Sequence, residues 1–141
     1  MKFLFVGIIS LVLGHFQYNK NTVNDLHIQI NNIPSAKGNI MIAVYNTADG
    51  FREKDHTYKN MIVAAQKGGV EVTIPQLPTN NYAVAVYHDS NGNGKLDKNF
   101  FGVPTEYYGF SNDARGSFGP PSFGDCSFVF NSAKKITINL K

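Results

Sequence analysis

Tyr82–Asp97 reads YAVAVYHDSNGNGKLD, a short apolar segment that runs straight into an oxygen-rich loop. Tyr82, Val84, Val86 and His88 alternate with Ala83, Ala85, Tyr87 and Asp89. A period of two with apolar residues on both sides belongs to a strand covered on both faces, so the segment predicts a central strand. Its end delivers Asp89 to the rim of a sheet, where a loop can fold over it. Beyond it, Asp89, Asn91, Asn93, Gly94 and Asp97 reproduce, as D-x-N-x-N-G-x-x-D, the opening of an EF-hand-type calcium loop.

Hard cations need this spacing because alternate oxygen-bearing side chains point inward as a loop curls round an ion, and a glycine permits the sharp reversal. Lys95, next in line, would offer its backbone carbonyl. Phe100 stands where an EF-hand places its bidentate glutamate, and a benzyl group cannot coordinate a metal, so Glu106 is the candidate to supply the missing carboxylate. The expected ligand set for Ca2+ is therefore Asp89, Asn91, Asn93, Lys95, Asp97 and Glu106. So few charges imply weak affinity, with Kd on the order of 0.1–1 mM, as in extracellular modules. The same letters also serve a metal-free loop, since Asn91-Gly92 and Asn93-Gly94 are strong tight-turn dipeptides, and both readings stand at this point.

Outward from this stretch the chain repeats the strand pattern. Leu26, Ile28 and Ile30 alternate with His27, Gln29 and Asn31, one face buried and one wet, with structure beginning near Asp25. After a Pro34–Gly38 turn, Ile40, Ile42 and Val44 oppose Met41, Ala43 and Tyr45, which predicts a second central strand. Asn46–Asn60 is polar loop, with Phe51 expected to plug back into the core. Further strands are expected at Met61–Ala65, at Val70, Val72 and Ile74 before a Pro75–Pro78 turn, at DCSFVF around Cys126, and at Ile136, Ile138 and Leu140. Between Phe100 and Phe123 lies a long glycine- and proline-rich loop, a length more often functional than idle. Its rings, Phe100, Phe101, Tyr107, Tyr108, Phe110, Phe118 and Phe123, are expected to pin it to the sandwich. About seven short strands with turns between them predict an all-β fold, an antiparallel Greek-key β-sandwich.

Met1–Gln17 has a lysine at position 2 and an apolar run too short to span a bilayer, the pattern of a signal peptide. Export to the periplasm or the extracellular space is expected, with no stable membrane anchor after cleavage. Residues 18–24 then read as a polar leader and residues 25–141 as one domain. A single cysteine, Cys126, excludes an internal disulfide and is expected to be a buried structural thiol. The formal charge of +3 comes from scattered lysines without a basic patch, so no nucleic-acid partner is implied.

The chain resembles the bacterial exported proteins grouped as domain of unknown function family 2141. The resemblance rests on YAVAVYHDSNGNGKLDKNFFGVPTEYYGFSNDARGSFGPPSFGD and on the earlier GNIMIAVYN strand followed by a D-G-F turn. It implies a secreted immunoglobulin-like or prealbumin-like sandwich, and no catalytic residue, because the family has no established activity. Two function classes follow. One is a binding or structural module of the cell envelope, with Tyr107, Tyr108 and Phe110 as rings that could meet a glycan or an envelope protein. The alternative is an envelope hydrolase or other enzyme using a cluster of His88, Asp89 and Glu106. Ser90 and Ser111 lie in no nucleophile elbow, so the catalytic constellation is incomplete.

Overall fold

Alternation along the chain becomes burial along the strands of the computed structural model, which describes residues 22–141. The expected signal peptide, Met1–Gln17, lies outside the described residues. Eight strands and one short helix follow: β1 Val23–Ile33, β2 Asn39–Tyr45, β3 Lys59–Ala64, β4 Gly68–Pro78, β5 Asn80–Asp89, β6 Tyr108–Phe110, α1 Phe123–Cys126, β7 Phe128–Phe130 and β8 Lys134–Asn139. β1 starts at Val23, so pairing reaches into the stretch read as leader, with Val23 opposite Pro78.

The strands form two sheets, one ordered β4-β1-β8 and one β3-β2-β5-β6, with β7 also pairing β5. Leu26, Ile28 and Ile30 of the first sheet pack against Ile40, Ile42, Val44, Val84 and Val86 of the second in one continuous core. The all-β sandwich expected from the periodicity is the one observed. An all-antiparallel arrangement is not: β1 and β8 run parallel, Leu26 opposite Lys134 through Asn31 opposite Asn139. The first and last strands meet without a hairpin to link them, and no local signal marks their direction. β4 also continues through the predicted Pro75–Pro78 turn. The chain absorbs the two prolines by a bulge in which Gln76 takes a φ of 56° and donates its N–H to Asp25 Oδ1 at 3.1 Å.

The outer face of the second sheet departs from the polar surface usual in sandwiches. Met41, Ala43 and Tyr45 on β2 and Ala83, Ala85 and Tyr87 on β5 lie side by side there. Part of this face is covered by a second apolar cluster of Ala83, Phe110 and Cys126 with Phe51, Tyr108 and Phe123. Phe51 thus plugs this outer layer, not the main core, its ring edge-on to Tyr45 with centroids 5.1 Å apart. DCSFVF is not one strand either. Ser122 and Asp125 form a capping box, Ser122 Oγ accepting from Asp125 N at 3.2 Å and Asp125 Oδ2 from Ser122 N at 2.9 Å, so helix α1 forms before β7 begins.

One serine joins these layers. β6 pairs with Ala85–Tyr87 and β7 with Asn80–Tyr82, which leaves Val84 between the two ladders. The buried Ser111 hydroxyl fills that gap, accepting from Val84 N at 2.9 Å and donating to the Cys126 carbonyl. Two residues on, Asp113 accepts from Asn139 N at 2.9 Å and so ties the same turn to β8 in the other sheet.

Ser111→Ala strands a buried N–H and a buried carbonyl and is expected to cost about 1–3 kcal/mol, read as a lower denaturation midpoint with an unchanged slope. Burial pushes the Cys126 thiol up to about 11 from 9.0. A disulfide reagent at about pH 8 should therefore leave the folded chain unlabelled and label it fully in denaturant. Because the folded form keeps its proton longer, this contribution is intact below pH 9.0 and is lost as pH rises through about 11.

Candidate functional site

Strand β5 ends with His88 and Asp89 pointing to opposite faces, and this alternation divides the expected site residues. Gly38, in the β1–β2 turn, lies directly against the Asp89 backbone. Its φ is +71°, and a Cβ there would run into the Asp89 carbonyl oxygen, so only glycine fits. The close approach leaves Asp89 almost dry, at 1% exposure.

A carboxylate this buried must find donors, and the loop supplies them. Asp89 Oδ1 accepts from Asn93 N at 3.1 Å and Oδ2 from Gly94 N at 2.8 Å. Asn91 Oδ1 accepts from Asn93 N at 3.1 Å, and Asn93 Oδ1 from Lys95 N at 2.9 Å. The backbone therefore curls round its own side chains, with positive φ at Gly92 and Gly94 making the reversals. Asp97 closes the curl, its two oxygens taking the amide N–H groups of Asn91 at 2.7 Å and Asn93 at 2.9 Å. Glu106 reaches in from the returning chain: Oε1 accepts from Ser90 N at 2.9 Å and Ser90 Oγ at 3.1 Å, and Oε2 from Asp97 N at 3.1 Å.

The structure thus gathers Asp89, Asn91, Asn93, Asp97 and Glu106 into one hydrogen-bonded loop. Lys95 enters through its backbone N–H. Among the described residues, no three carboxylate, histidine or cysteine side chains converge closely enough to hold a metal ion as they stand. The loop is nonetheless a source of negative potential. Burial first, and then the charges of Asp89, Glu106 and Asp97, hold the Tyr87 phenol above its ordinary range.

His88 does not join the two carboxylates. Its ring lies on the inner face and donates from Nε2 to the Lys37 carbonyl at 2.6 Å, which pins the β1–β2 turn to β5. Of the aromatic residues expected to clamp the long loop, Phe110 is buried and Tyr108 and Phe123 pack beside it. Phe100, Phe101 and Phe118 do not clamp it: they stand 98%, 85% and 106% exposed, and Tyr107 is 44% exposed. The sequence assigns no role to the side chains of Arg52, Lys54 and Lys98, and one to Lys95 only through its backbone. These line an apolar groove of about 980 Å³ over the outer face of the second sheet. Lysines scattered in sequence carry no sign that the fold collects them.

Compared with known proteins, the chain matches over residues 28–139 the family model described as "Uncharacterized protein conserved in bacteria (DUF2141)". No curated protein and no solved structure gives a significant match.

Glu106→Ala removes the acceptor shared by Ser90 and Asp97 while touching nothing in the core. The expected result is a loss of about 1 kcal/mol in a thermal melt, with faster proteolysis at the Ser90–Asp97 loop and unchanged circular dichroism.

Proposed function

We propose, for a chain that belongs to the DUF2141 family of bacterial proteins, a role as an exported binding or structural module of the cell envelope whose Asp89–Asp97 loop takes Ca2+. The observation that carries this reading is the gathering of five oxygen-bearing side chains at the end of one strand, with Asp89 buried and held by two backbone N–H groups.

The donor set fits a hard cation after a small rearrangement. Asn91 and Asn93 now turn their amide N–H groups toward Asp97. Rotating each amide by a half-turn would present oxygen instead, at the cost of the bonds their oxygens accept from Asn93 N and Lys95 N. Both oxygens of Asp89 and of Asp97, and Oε2 of Glu106, keep a lone pair beyond the one donor each already accepts. The cation would then replace two amide groups as the positive partner of Asp97. Breaking existing bonds to admit an ion agrees with weak affinity.

Strand order supports the prealbumin-like alternative for the finer topology. β1 and β2 lie in different sheets, whereas an immunoglobulin constant-type sandwich places its first two strands in the same one. Export rests on the Met1–Gln17 pattern alone. For a glycan or an envelope protein, Tyr107 is the exposed ring, while Tyr108 is half-buried against the second cluster and Phe110 is withdrawn into it. The hydrolase reading gains no support, because His88 bonds the Lys37 carbonyl on the inner face while the Ser90 hydroxyl bonds Glu106, so histidine, hydroxyl and carboxylate form no hydrogen-bonded relay.

A thermal melt in chelator and then in 10 mM calcium, with magnesium as control, tests the loop. With Kd near 0.1–1 mM, mass action gives roughly 1.4–2.7 kcal/mol of added stability. This should appear as a calcium-specific rise on the order of 3–10 °C, absent in Asp97→Ala. No shift with either ion would leave the loop a metal-free turn.

A further inference from the structure

The outer face of the second sheet is apolar and only half covered. Cross-strand register places Ile62, Met41, Tyr87 and Tyr108 in one row and Asn60, Ala43, Ala85 and Phe110 in the next. Ala43 and Ala85 adjoin at the centre of the second row, so large side chains surround a shallow trough. The chain that follows Phe110 and the Phe51 turn cover one end of this face through the second cluster. The rest is the floor of the groove of about 980 Å³, walled by the Gly94–Pro104 segment on one side and Phe118–Pro120 on another. Phe101 and Phe118 stand on these walls almost wholly in water. Such side chains are costly to leave wet in a patch, and a pocket of this size and polarity is of the kind that holds small molecules.

Charge on the walls narrows the ligand. Arg52, Lys54, Lys95 and Lys98 line the groove, and among the described residues none of the lining side chains is a carboxylate. The acidic groups of the neighbouring loop are turned into their own hydrogen bonds: Asp89 and Glu106 hold backbone N–H groups, and Asp97 holds the two amides. Apolar floor, aromatic walls and an all-cationic rim are complementary to a molecule with a hydrophobic body and a negative end.

We propose that this groove binds a small anionic amphiphile, of the class of a long-chain carboxylate, with its apolar body over Ala43 and Ala85 and its anionic end at Lys95 and Lys98. The proposal deepens the binding-module reading but does not require a cation in the Asp89–Asp97 loop.

Calorimetric titration of the full chain with dodecanoate, kept below its micelle-forming concentration, tests it against dodecan-1-ol and dodecylamine. Dodecanoate should bind one to one and about tenfold or more tighter than the neutral and cationic matches, as several partly exposed ion pairs allow. Lys95→Glu with Lys98→Glu should lower dodecanoate affinity about tenfold and raise that for dodecylamine. Phe101→Ser with Phe118→Ser should weaken all three. These side chains are exposed, so both variants should melt as the parent does, which separates lost binding from lost folding. Absence of dodecanoate binding, equal binding of the three compounds, or an unchanged affinity in the charge-reversed variant overturns the proposal. The titrations are run in chelator, since calcium precipitates dodecanoate, and the calcium melt is read separately on the ligand-free chain. Dodecanoate binding with no calcium-specific melt shift keeps the groove and removes the loop's cation; a melt shift without dodecanoate binding does the reverse.

Discussion

The hydroxyl of Ser111 against the backbone of Val84 is the contact on which the second layer of the fold depends. A strand pairs along its edge with a neighbour of the same length or leaves polar groups open to water. β5 instead meets two three-residue strands with a gap between them, and a buried gap would orphan a backbone donor. One side chain closes it and simultaneously receives the end of α1 through the Cys126 carbonyl. Because Asp113 in the same turn holds Asn139 of β8, the closure also couples the second sheet to the first. Asn112 adds bonds to the carbonyls of Asp125 and Ser127, and its φ of 62° is the left-handed geometry that asparagine tolerates.

What the sequence disclosed followed physical range. Period-two alternation is local, so the inward sets at Leu26, Ile28 and Ile30, at Ile40, Ile42 and Val44, and at Tyr82, Val84 and Val86 were legible and are buried as read. The ligand-like loop was legible for the same reason: Asx side chains bond backbone two to five residues on, and spacing alone reports this. Only Glu106, from the returning chain, had to be guessed, and it lies in the loop. The parallel β1–β8 pair escaped because strand direction across a whole domain has no local trace. Helix α1 did leave a mark, Ser122-x-x-Asp125, but one turn of helix is too short for any periodicity to draw attention to it. Phe100, Phe101 and Phe118 were misplaced because hydrophobicity permits burial and does not compel it.

Segment Asp89–Pro104 separates two electrostatic fields that sequence composition blends into a small net charge. Carboxylates of Asp89 and Asp97 turn inward to their own loop, together with Glu106, while Lys95 and Lys98 of the same segment line the groove. Opposite charges close in sequence are thereby sorted to different sides of one wall. Tyr87 sits at the boundary: its phenol feels the three carboxylates, and the residue itself forms part of the groove floor.

The bulge at Gln76 has a consequence for how copies of this chain meet one another. β4 is the outer strand of its sheet, the position from which proteins polymerise by adding strand to strand. Here the end of that edge has little to offer an incoming chain. Pro75 and Pro78 carry no N–H, the Pro75 carbonyl is taken by the Lys59 ammonium, and the Gln76 N–H is turned onto Asp25. At this end of β4 an incoming copy meets two prolines and two backbone groups already held by the Lys59 and Asp25 side chains, so edge-to-edge growth cannot propagate through the last residues of the strand.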